Sequence, residues 1–205
     1  MKNVKEISTD VKERFVRNVK KPNKKLFFFL ISVTIFFAIL FIVISPIDLI
    51  ENIGIQNIYL IAFFVSLFGS LSAIGSITFI SLIVSLVSNG VSPLILGLIC
   101  GAALTIGDIF LFTAFSEGRR LVKKGWDTKI QKFSVLLLNH PVFSYAIPFF
   151  SYIYISFIPL PNDILLAFLA AIDYPKKRVY AMLLFGDLTF AFLLTFTVFY
   201  GMLSF

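Results

Sequence analysis

The sequence predicts an all-α polytopic membrane protein: an inverted repeat with two opposed re-entrant helical hairpins and about three full spanning helices. Three observations predict it. The 205 residues are 59% hydrophobic and only 14% charged, whereas soluble domains average about 45–50% apolar and about 25% charged. Residues 52–107 contain no Asp, Glu, Lys or Arg. Several apolar segments are too short, or too interrupted, to cross a bilayer as single rods. A soluble fold of this length has nowhere to bury so much apolar surface, so its solvent must be largely lipid. A soluble enzyme, a disordered chain and a secreted disulfide scaffold are excluded.

Residues 1–25 carry nine Lys/Arg and three acids, with Val4, Ile7, Val11, Phe15 and Val19 at helical spacing. They read as a basic amphipathic segment on the cytoplasmic membrane surface. The first transmembrane helix follows at 26–45, its apolar run Leu26–Ile44 preceded by a long basic flank and ended by Ser45-Pro46. No small-x-small cleavage site is present, so it reads as an uncleaved anchor.

Ile58–Ser88 has 31 residues, about 46 Å as one straight helix and too long for a hydrocarbon core of about 30 Å. Gly69 and Gly75 interrupt it among Ser66, Ser70, Ser72, Ser76 and Thr78, and thirteen residues remain after Gly75. The segment 58–88 is expected to be the first re-entrant hairpin, broken at Gly75. Residues 93–116 read as a spanning helix with Gly97, Gly101, Thr105 and Asp108 along one face, a pattern that favours close helix contact. Residues 117–140 read as a basic loop and interfacial helix containing Trp126 and His140. In 141–172, Pro159-Leu-Pro-Asn-Asp163 breaks the apolar run and leaves nine apolar residues, Ile164–Ile172. This is the second expected hairpin. The last span is 179–205, with Asp187 inside it.

Charge asymmetry supplies a topology. The three basic blocks are the N-terminal tail, 117–132 and Lys176–Arg178, and such flanks prefer the cytoplasm. All three fall inside only if 58–88 and 133–172 each dip in and return. The expected location is therefore the cell (plasma) membrane, multi-pass, with the N-terminus cytoplasmic. The halves share an order of elements: a broken hairpin, a proline turn (Pro93, Pro175), then a long helix holding Gly-Asp (Gly107-Asp108, Gly186-Asp187).

Gly107-Asp108 with Phe115-x-x-Gly118-Arg119, and Phe157-Ile-Pro-Leu-Pro-Asn-Asp163 with Gly186-Asp187, resemble the DedA/VTT family, also called SNARE-associated Golgi protein-like membrane proteins. The resemblance covers about residues 58–205, within a membrane domain placed at 46–205. It implies two opposed re-entrant loops meeting inside the bilayer. It also implies lipid translocation: phospholipid scrambling, polyprenyl-phosphate recycling or proton-linked transport. The chain departs from the family at three places. Ile74-Gly-Ser-Ile-Thr-Phe79 stands where many members have a Pro-x-Pro motif with an acid. Ser156 and Asn162 stand where arginines are frequent, and Phe115 where tyrosine is common.

Asp108, Asp163 and Asp187 are the carboxylates inside apolar segments, each costing about 2.5–3.5 kcal/mol at mid-helix on insertion scales. The functional reading gives them, with Asn162, Ser76 and Thr78, a hydrated lipid or ion pathway. The plainer reading makes Asp163 the N-cap of a helix starting at Ile164. It leaves Asp108 and Asp187 bonded to hydroxyls or freed backbone. Pro159, Pro161 and Gly75 are the expected helix breaks. Arg119 and Arg120 are candidates for contact with a lipid phosphate at the cytoplasmic surface, against a purely topological role.

No catalytic or metal site and no cofactor is expected, because no zinc, Ser/His or paired-carboxylate protease pattern occurs in a span. The single cysteine, Cys100, lies in a glycine-rich apolar run and reads as a packing residue. The expected partners are membrane lipids, anionic or polyprenyl-phosphate, and not nucleic acid; self-association into a homo-oligomer is left open. The leading function is a membrane transporter moving lipid headgroups between leaflets. The alternatives are a proton- or cation-coupled solute transporter and a non-transporting membrane scaffold.

Overall fold

The computed structural model describes residues 23–43, 57–71, 73–121, 141–158 and 161–204. Among them the chain is all helical: α1 (Lys24–Val43), α2 (Ile58–Gly69), α3 (Ala73–Ser88), α4 (Pro93–Leu121), α5 (Pro141–Phe157), α6 (Asp163–Ala171) and α7 (Lys176–Leu203). The expectations for 1–22, for the 44–56 stretch, for Trp126 and His140 and for Pro159 lie outside the described residues.

α4 has 29 residues and α7 has 28, about 44 and 42 Å at 1.5 Å per residue. Both are long and apolar enough to cross a membrane. They pack on each other through small residues. A Cβ on Gly97 would meet the Phe192 ring at 2.7 Å, and one on Gly101 would meet the Leu188 backbone at 2.8 Å. The glycine face expected of α4 is therefore where α7 lies. Around this pair, α2 packs on α4 and α5 on α7, while α3 packs on α7 and α6 on α4.

The first break falls after α2 ends at Gly69 and before α3 begins at Ala73, and not at Gly75, which is inside α3. The glycines have another task. A Cβ on Gly75 would lie 2.7 Å from the Gly69 backbone, so the pair lets α2 and α3 touch main chain to main chain. The second break, after Ile158, comes where the prolines predict it. The freed Pro161 carbonyl accepts a hydrogen bond from the Tyr154 hydroxyl at 3.2 Å. Inside α5, Pro148 removes one further helix hydrogen bond.

α3 and α6 end alike. Gly90, at φ 84°, donates to Val87 O at 3.0 Å while Val91 N–H donates to Leu86 O at 3.1 Å. Asp173, at φ 57°, donates to Ala170 O at 3.1 Å while Tyr174 N–H donates to Leu169 O at 3.0 Å. Both are Schellman closures, and each is followed by the proline that opens the next long helix.

α4 runs past residue 116 to Leu121, so the basic loop expected from 117 begins later. The extension is held by charge. Arg120 pairs with Glu117 at 2.7 Å. Arg119 pairs with Asp173 at 3.0 Å and donates to the Ala170 carbonyl at 3.5 Å, closing the end of α6. On the other side, Asn23 caps α1 by accepting from Leu26 N–H at 3.2 Å, and its own N–H donates to Glu117 Oε2 at 3.3 Å. These contacts gather Lys24, Lys25, Arg119, Arg120 and Lys176–Arg178 at one end of the molecule.

Two apolar clusters fill the interior. One joins Ile61, Val65, Phe79, Ile83, Leu96 and Ala191; the other joins Leu111, Phe112, Ile155, Leu166, Leu169 and Leu183. In α4 and in α7 alike, the buried aspartate sits in the chain between the two clusters. Outward, Phe28, Phe150, Ile164 and Phe185 are each more than half exposed.

Candidate functional site

Gly107 is the fifteenth of the 29 residues of α4, its midpoint. A Cβ there would collide with Ser70 Oγ and the Leu67 carbonyl. The missing side chain thus lets the end of α2 rest on the α4 backbone, and it brings Ser70 beside the next residue, Asp108. The Ser70 hydroxyl donates to Leu67 O at 3.1 Å. Ser70 also lines the cavity beside Asp108.

From the other side comes Asn162. It occupies the position before α6 but makes no side-chain cap. Its amide nitrogen instead donates to Asp108 Oδ2 at 2.6 Å, across 54 residues of sequence. The break between α5 and α6 is thereby tied to the middle of α4, opposite the break between α2 and α3. Asp163 is the first residue of α6, so it is not the capping residue of a helix starting at Ile164.

α7 repeats the arrangement. A Cβ on Gly186 would meet Ile155 of α5 at 2.5 Å, so α5 packs closely where Asp187 begins. Gly101 of α4 stands against the Asp187 carbonyl, 3.3 Å from where its Cβ would be. One turn along the same face, Thr105 faces the Asp187 carboxylate. Asp108 and Asp187 are each 1% exposed and close enough to repel one another. Asp108 Oδ1 and Asp187 Oδ2 are buried without a hydrogen-bond partner. A buried carboxylate oxygen in that condition is costly unless something else satisfies it.

A cavity of about 40 Å³ lies between them, lined by Ser70, Ser76, Leu104, Asp108, Asn162 and Asp187 among others. At about 10–15 Å³ of such volume per water, it has room for about three. No Lys or Arg lines it among the described residues. A second cavity, about 510 Å³, runs between α1, α4 and the start of α6, with apolar walls from Phe27, Ile31, Leu111 and Phe115. Arg119 and Asp163 are its charged members.

The structure thus brings Asp108, Asp187, Asn162 and Ser76 to one cavity and puts Asp163 in the other. Thr78 lines neither, and Gly75 serves the α2–α3 contact. Arg119 and Arg120, candidates for contact with a lipid phosphate, are each held by an acid of the protein. Ser156 is fully buried in α5, its hydroxyl without a partner. Thr105, read from sequence as helix packing, faces a carboxylate. Tyr154 as the partner of Pro161 had no sequence signal, because the break it serves lies a full α5 turn away.

No protein-family model matches the chain, nor does any curated protein or solved structure.

Proposed function

We propose that the chain is an integral membrane transporter of the DedA/VTT type that moves the headgroup of a phospholipid or polyprenyl phosphate between leaflets. The observation that carries it is the meeting of two helix breaks at Asp108 and Asn162, halfway along a helix of membrane length. Broken helices at membrane depth are tolerated where they line a cavity, and transporters use them for their sites.

Several features support the polytopic, inverted-repeat reading. The α2–α3 pair connects to the start of α4, whereas α6 returns to its basic end beside Arg119. On this reading the two hairpins enter from opposite faces. In each half the first hairpin arm packs on its own long helix and the second arm on the other half's. Both halves close through a Schellman turn followed by proline. With α1 as the third crossing, the convergent basic end is cytoplasmic by the positive-inside rule. The larger cavity suits an amphiphile: apolar walls for a chain and a charged end for a headgroup.

The test is leaflet exchange of a fluorescent phospholipid in liposomes containing the pure protein. The reading predicts exchange that slows when Asn162 or Asp163 is replaced by Ala at equal reconstitution. Well-folded protein without exchange of phospholipid or polyprenyl phosphate counts against it. A second reading, cation-coupled solute transport, is favoured by the small cavity lined by the two carboxylates Asp108 and Asp187.

A further inference from the structure

Resting on the transport reading of this cavity, we propose that Asp108 and Asp187 together bind one dehydrated monovalent cation of about sodium size at the junction of the two helix breaks. The donors are all oxygen. Asp108 Oδ1 and Asp187 Oδ2 are unpartnered and belong to residues 99% buried that line the cavity. Ser70 and Ser76 add hydroxyls. Asn162 spends its nitrogen on Asp108 and keeps its amide oxygen. Oxygen sets of this kind take hard cations and not thiophilic or imidazole-seeking metals.

Charge and ligand number select among the hard cations. Two carboxylates share one buried cavity with no Lys or Arg among the described residues of its wall, and buried charge of one sign requires a counter-charge. Among the described residues no three His, Cys, Asp or Glu converge. Calcium takes about 6–8 oxygens, and magnesium retains several of its waters. About 40 Å³ accommodates neither need. A monovalent ion held by carboxylate, hydroxyl and amide oxygens fits both the volume and the donors.

The experiment is equilibrium binding of radioactive sodium to the purified full chain in detergent. The proposal predicts saturable binding near one ion per chain, displaced by unlabelled sodium and not by equimolar magnesium or calcium. It predicts that Asp187→Asn and Asp108→Asn each weaken binding about tenfold or more, with each variant eluting as a single peak. Because these variants can fail to fold, the parental protein supplies a second readout. Sodium, compared with N-methylglucamine at equal ionic strength, raises its melting midpoint. Absence of both saturable binding and the thermal shift overturns the proposal and leaves a shared proton on the pair. Displacement by equimolar divalents overturns the monovalent assignment. Leaflet exchange without sodium binding removes the ion site and leaves the transport reading standing; sodium binding without exchange does the reverse.

Discussion

Asn162 donates to Asp108 at 2.6 Å, and this one bond joins a break in the second half of the chain to the midpoint of α4 in the first. Asn162 sits where a helix cap belongs, yet caps nothing. The side chain that would satisfy its own helix is used to hold a buried carboxylate.

Asn162→Ala leaves Asp108 with its second oxygen also unpartnered by Asn162. Hydrogen bonds to charged groups contribute about 1.5–3 kcal/mol, so the melting midpoint falls by the equivalent amount. Cys100, fully buried and the single cysteine, provides the probe: a thiol-reactive fluorogenic dye stays dark until the fold opens. An unchanged midpoint contradicts the bond.

Two glycines give opposite signs. Gly107→Ala drives a methyl into Ser70 Oγ and the Leu67 carbonyl, and overpacking of this kind costs about 1–3 kcal/mol. Gly201→Ala, in the last turn of α7 with nothing within 4 Å, is neutral or stabilising by up to about 1 kcal/mol from helix propensity. Paired thermal melts check the contrast.

Asp173 combines a left-handed backbone with an ion pair to Arg119. The Asp173 side chain is 52% exposed, so screening holds the pair to about 1 kcal/mol or less. Asp173→Ala loses the pair and keeps the strained φ, whereas Asp173→Gly loses the pair and relieves it. The glycine variant is therefore the more stable of the two. The reverse order in a melting comparison refutes this account of the turn.

Arg119→Ala does more damage than Asp173→Gly, because Arg119 also donates to the Ala170 carbonyl at the end of α6. Limited proteolysis near 172–175 should rise in the arginine variant first. Equal susceptibility of the two variants would mean that the carbonyl contact adds nothing.

Much of the architecture was legible in local signals. Two prolines within three residues marked the second break, and the Gly97, Gly101, Thr105, Asp108 face marked the α4–α7 contact. The first break was misplaced at Gly75 because glycine signals two things, chain reversal and close approach, and here Gly69 and Gly75 serve approach. The extension of α4 to Leu121 was hidden because basic residues read as a loop, whereas Glu117 and Asp173 neutralise them. The Asn162–Asp108 bond was illegible for a different reason. Nothing in either local sequence reports a partner 54 residues away, although the two residues were singled out separately.

The central claim is that both breaks open on one polar cavity, reached from opposite faces. The direct measurement uses a chain with Cys100→Ala and a single new thiol, either Ser76→Cys or Asn162→Cys, in sealed vesicles. Small impermeant thiol reagents are applied from each side in turn. The account predicts that both thiols react, Ser76→Cys more rapidly from the face of Pro93 and Asn162→Cys more rapidly from the basic end. Thiols that stay inert from both sides in folded protein, or that share one preferred face, contradict it.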